Sequence, residues 1–114
     1  MKEQLLTFLL YQREELKKED IFMYLRLMAS GKLFVGFEYY YPYITFDGKP
    51  KKGCEKRCNL NVSFDDITPQ KYEKFMKSYE RILDEVRESQ KSAKDEFKTV
   101  EISFQAVMQD FEQN

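Results

Sequence analysis

From Tyr72 to Phe111, apolar residues recur in alternating steps of four and three: Tyr72, Met76, Tyr79, Leu83, Val86, Gln90, Ala93, Phe97, Val100, Phe104, Val107 and Phe111. Gln90 is the one polar residue among these twelve positions, where a chain that is 42% hydrophobic would place about five apolar residues by chance. Steps of four and three bring side chains onto one face of an α-helix, and Phe75 and Ile82 widen that face. Upstream, Thr68 supplies a hydroxyl cap and Pro69 suits the first helical position, where its missing N–H is no loss. The chain therefore commits to a long amphipathic helix over about 69–96.

Beyond residue 96 two periods compete. The helical spacing continues to Phe111, yet Val100, Ile102, Phe104 and Ala106 also alternate with Thr99, Glu101, Ser103 and Gln105, as in a strand. A helix would leave Ile102 on its wet face. An isolated hairpin is marginal and calls for a third strand or a packed helix. The expectation is a C-terminal strand. The alternative is a helix continuing to about 111, which would favour a coiled-coil partner and a homodimer.

Residues 2–30 lack Gly and Pro and are rich in Leu, Met, Glu, Lys and Arg, all good helix formers. Leu5, Leu6, Leu9 and Leu16 form one apolar face, and a second apolar cluster runs from Ile21 to Met28. We expect a helix pair or one bent helix here, with Asp20 capping the second half and Gly31 closing it. The competing reading makes Ile21 to Met28 a strand that turns through Ala29-Ser30-Gly31-Lys32.

From Leu33 to Phe46 the residues become aromatic and β-branched, which predicts a strand. Pro42 cannot donate to a ladder, so the strand is at an edge there or carries a bulge. Asp47 to Gly53 reads as a loop, and Leu60 to Phe64 alternates as a second strand, which makes an antiparallel hairpin with a basic tip. The whole is expected to be one α+β domain of 114 residues: N-terminal helix or helix pair, antiparallel β-hairpin, long amphipathic helix, C-terminal strand. Neither an internal repeat nor a low-complexity segment interrupts it.

With no histidine anywhere, catalytic triads and imidazole-ligated metals are out of reach. No spacing of carboxylates, lysines or tyrosines points to an acid–base pair, and Gly31-Lys32 lacks the other glycines of a phosphate loop. Asp65 and Asp66 precede a helix start, where negative charge is favoured by the dipole; paired-carboxylate or metal roles are the alternatives. Cys54 and Cys58 read as ordinary thiols. Their alternatives are a reactive pair, with pKa values lowered by Lys56 and Arg57, a disulfide, or half of a zinc site completed by a second copy. No secretory signal precedes them and no apolar run approaches a membrane span, so the expectation is a cytoplasmic protein with reduced thiols and no membrane contact.

The net charge is −1, but it is unevenly placed: Asp47 to Cys58 carries +3, residues 1–46 are neutral, and residues 59–114 carry −4. Lys49, Lys51, Lys52, Lys56 and Arg57 thus stand beside Tyr39, Tyr40, Tyr41 and Tyr43. A soluble loop guarding an edge strand accounts for the lysines, and an aromatic core for the tyrosines. The functional reading is a contact surface on a small non-catalytic protein with no cofactor and no metal. It would be a regulator, adaptor or inhibitor that docks on another protein by occlusion or β-edge addition. Single-stranded nucleic acid bound by the same cations and rings is the alternative, as is a homodimeric scaffold.

Overall fold

In a computed structural model the backbone is described for residues 1–113, and side chains for residues 1–96, 105, 106, 108 and 109. The elements are α1 (Lys2–Lys17), β1 (Ile21–Leu27), β2 (Lys32–Ile44), β3 (Pro50–Ser63), a 3-10 turn (Phe64–Asp66) and α2 (Pro69–Gln113). The strands form one antiparallel sheet in the order β1-β2-β3. Both helices lie on the same face of it, so the architecture is α+β. No described helix is long and apolar enough to cross a membrane.

Ile21 to Leu27 is a strand, and the helical expectation for 21–28 is corrected. α1 stops after Lys17 because Glu19 and Asp20 turn back, their N–H groups donating to the carbonyls of Leu16 and Lys17 at 3.0 and 3.1 Å. Asp20 takes φ 59°, a left-handed conformation that Asp tolerates better than most residues. It therefore caps no second helix. Period-two burial then takes over: Ile21 and Met23 are buried, while Phe22 between them is exposed. The turn after β1 closes through Gly31 N–H to the Met28 carbonyl at 2.9 Å, with Gly31 at φ 81°. Gly31 is thus a hairpin residue, and the competing strand reading is the one that forms.

The third strand that a stable sheet needs comes from the N-terminal side, and the expected C-terminal strand is not formed. The backbone is helical from Pro69 to Gln113, as the alternative had it. The stripe positions Phe97, Val100, Phe104, Val107 and Phe111 lie outside the residues whose side chains are described. At the other end, Thr68 caps α2 as expected, its Oγ1 accepting from Lys71 N–H at 3.2 Å.

The basic loop is also corrected. β3 begins at Pro50, so only Thr45 to Lys49 turn, and Lys51, Lys52, Lys56 and Arg57 are strand residues. Pro42 is accommodated because β1 begins at Ile21, opposite Tyr39, and the last backbone bond from that side is Tyr40 N–H to the Asp20 carbonyl at 3.0 Å, so no partner strand faces Pro42 there. A bulge does occur, but elsewhere. Val35 pairs with Leu60 and Gly36 with Cys58, which makes Asn59 the extra residue.

The core lies between the sheet and the two helices. Leu5, Leu9 and Leu16 of α1 and Phe75, Tyr79, Ile82, Leu83 and Val86 of α2 meet Ile21, Met23, Leu33, Val35, Phe37, Tyr39, Leu60 and Val62. Gln90, the exception in the apolar stripe, is 6% exposed. Its Nε2 donates to the carbonyls of Glu19 at 2.7 Å and Tyr40 at 3.1 Å, which ties α2 to the α1–β1 turn and to β2. Arg87 adds a two-pronged contact to Glu19, both at 2.9 Å, on the exposed side of the same turn. Gln90→Leu keeps the bulk but leaves those carbonyls without a donor. It is expected to cost about 1–3 kcal/mol by urea unfolding.

Candidate functional site

The bulge at Asn59 decides which residues share a surface. Without it, Cys58, Lys56, Cys54 and Lys52 would continue the core face of Leu60 and Val62. With it, they turn to the opposite face, which neither helix covers, and Arg57 and Glu55 take the helix side. On the uncovered face the registers place Phe22 beside Glu38 and Lys56, Tyr24 beside Gly36 and Cys58, and Arg26 beside Phe34 and Asn61. Tyr40 stands beside Cys54, and Pro42 beside Lys52.

The expected contact residues therefore divide. Tyr40, Lys52 and Lys56 lie on the uncovered face. Tyr39 is buried under the helices, and its hydroxyl donates to Glu55 at 2.5 Å. Tyr41 and Tyr43 continue from it as a row of rings, 6.0 and 6.3 Å apart, on the helix side. Arg57 is half-buried there too, over the Tyr39 ring at 6.0 Å and bonded to Ser89 Oγ at 3.4 Å. Lys51 shares that side, and Lys49 is exposed in the turn. One surface containing all nine residues does not exist.

Phe22, Tyr24, Arg26 and Phe34 are the members that sequence reasoning missed. Reading 21–28 as a helix scattered the first three around a cylinder. The alternation of Ile21, Met23 and Leu25 with Phe22, Tyr24 and Arg26 was the available signal. Tyr24 lies across β2 at Gly36, where any side chain would collide with its ring, and reaches the Cys58 sulfur. That hydrogen bond, with burial next, pushes the Tyr24 hydroxyl up from 10.0 to about 12. A raised phenol favours the fold fully below pH 10, and this contribution is lost as pH rises from 10 to about 12. Absorbance titration is expected to show one tyrosine ionising near pH 12, returning toward 10 in Cys58→Val.

The cations on this face are partly neutralised by their neighbours. Lys52 pairs with Asp20 at 3.2 Å and Lys56 with Glu38 at 3.9 Å, while Arg26 makes no ion pair among the described residues. Cys54 and Cys58 are free thiols, and the same geometry corrects the alternatives of a disulfide and of a lowered Cys54 pKa. Cys54 and Cys58 sit four strand steps apart, roughly 13 Å, whereas a disulfide needs Cα atoms about 4.4–6.8 Å apart. The Cys54 thiol is pushed up by burial and then by Glu38, against the depression expected from Lys56. No group of three or more candidate metal ligands occurs among the described residues. Asp65 and Asp66 are each engaged with a lysine, Lys2 at 3.3 Å and Lys71 at 2.8 Å.

Comparison with protein-family models, curated proteins and solved structures finds no match to this chain.

Proposed function

We propose that this protein is a non-catalytic binding module that docks on another protein through the uncovered face of its sheet. The observation that carries the proposal is the concentration of rings and cations there. Phe22, Tyr24, Phe34 and Tyr40 stand with Arg26, Lys52 and Lys56 on the side that neither α1 nor α2 covers. Aromatic residues and Arg dominate the binding energy of protein interfaces, because a large rigid surface is buried at small cost in side-chain entropy. Phe22 is 38% exposed although it is paired within the sheet, opposite Glu38. Docking would act by occluding the partner's own surface.

A second reading follows from the same mixture. Rings that stack on bases, beside cations that meet phosphates, suit single-stranded nucleic acid. The internal ion pairs of Lys52 and Lys56 favour the protein reading, since they leave little free positive charge for a phosphate chain.

A photo-crosslinking amino acid at position 22 or 34 tests both in the native host. Protein adducts are expected from these positions, and few from position 11 on the exposed side of α1. Adducts that disappear with nuclease and weaken steeply with salt would transfer the function to nucleic acid. Equal yields from positions 11, 22 and 34 would refute the face.

A further inference from the structure

The outer edge of β3 is unpaired: the sheet ends there, and no described backbone group bonds to it. Such edges are normally guarded by lysines, and the tip half of β3 has Lys51, Lys52 and Lys56. The other half does not. Asn59, Leu60, Asn61, Val62 and Ser63 carry no charge, and α2 runs alongside them. Between strand and helix lie two successive depressions. One, of about 560 Å³, is bordered by Arg57, Asn59 and Val86; the next, of about 260 Å³, by Leu60, Val62 and Phe75. Leu60, Val62, Phe75, Ile82 and Val86 give the groove an apolar floor.

Two further features describe what would fit. The helix rim is polar in a graded way, with Lys71 and Lys74 toward the Ser63 end and, around Arg81, the three carboxylates of Asp84, Glu85 and Glu88 toward the Arg57 end. At that second end the Arg57 Nε is buried without an acceptor.

We infer that the β3–α2 groove takes an extended segment of a partner protein as a fourth, antiparallel strand. Main-chain hydrogen bonds to β3 would hold the segment, and alternate side chains would enter the groove. The reach from Arg57 to Ser63 is about 20 Å, room for about seven residues. An antiparallel guest begins at the Ser63 end, so it presents acidic residues first, against Lys74, and basic residues last, against Glu85 and Glu88. A guest carbonyl at the second end supplies the acceptor that Arg57 Nε lacks. This surface is separate from the uncovered face and does not depend on it.

Two labelled peptides of one composition test the inference on the full chain, acetyl-EVTVTVK-amide and acetyl-KVTVTVE-amide. The first is expected to bind at least ~10-fold tighter by fluorescence anisotropy, a difference of about 1.4 kcal/mol. It should slow amide exchange within 57–63. The exposed double variant Lys74→Glu, Glu85→Lys is expected to reverse the preference. Equal affinities, or no protection of 57–63 by either peptide at millimolar concentration, would overturn the inference. So would protection confined to β1, which would return all docking to the uncovered face. A concentration-dependent dimer that protects 57–63 without peptide would give the edge to a second copy instead.

Discussion

Tyr79→Ala is expected to destabilise the protein by about 3–5 kcal/mol, a large share of the roughly 5–15 kcal/mol that holds a domain together. Tyr79 sits where α1, α2 and the sheet meet. Its ring lies 5.3 Å from Phe8 edge-on, 5.8 Å from Phe37 and 6.3 Å from Phe75. Three elements therefore lose contact when one ring is removed, and a cavity so enclosed collapses only partly. The hydroxyl contributes separately, through its 3.0 Å hydrogen bond to Gln12 Oε1. Tyr79→Phe, which spares the ring, is expected to cost about 1 kcal/mol. Burial pushes the Tyr79 hydroxyl well above its ordinary value, so it stays neutral across the working pH range. Urea unfolding of both variants measures the split. Nearly equal losses would mean that the hydroxyl, and not the ring cluster, anchors α2.

The second large effect is a contrast between neighbours in β1. Met23→Asp is expected to abolish folding, because Met23 is fully buried between sheet and helices and a carboxylate there has no partner. Phe22→Asp, one residue away on the uncovered face, should change stability by less than about 1 kcal/mol. It is nevertheless expected to remove partner docking. Circular dichroism and crosslinking yield on the two variants give the two readouts. Unfolding by both would place Phe22 in the core and withdraw the uncovered face as a site.

The long helix was legible because its signal is local and repeated. Thr68-Pro69 starts it, the four-three spacing sustains it, and no Gly or Pro interrupts it. The central strand was legible for the same reason, from the aromatic run beginning at Leu33. Residues 21–28 were misread because eight residues without Gly or Pro suit either period. What settles them is pairing: Phe22 lies opposite Glu38 and Tyr24 opposite Gly36, sixteen and twelve positions away in the chain. Residues 98–111 failed in the opposite sense. Their alternation suggested a strand, but β1 already serves as the third strand beside β2, and the backbone there is helical.

The candidate site shows the same division. Composition alone identified the cations and tyrosines of 39–57 as unusual, since their types and their crowding are properties of the string. Which of them share a surface depends on one unpaired residue. Asn59 inserts itself opposite β2 and reverses the facing of every residue back to Pro50. A strand has period two, so a single extra residue exchanges its faces, and no local propensity announces where that residue falls. The amino-acid sequence by itself determined a long amphipathic helix, an aromatic strand and a patch of positive charge. Only the tertiary structure decided that Phe22, Tyr24 and Arg26 join Tyr40, Lys52 and Lys56, because strand pairing is a long-range choice made by burial of the opposite face.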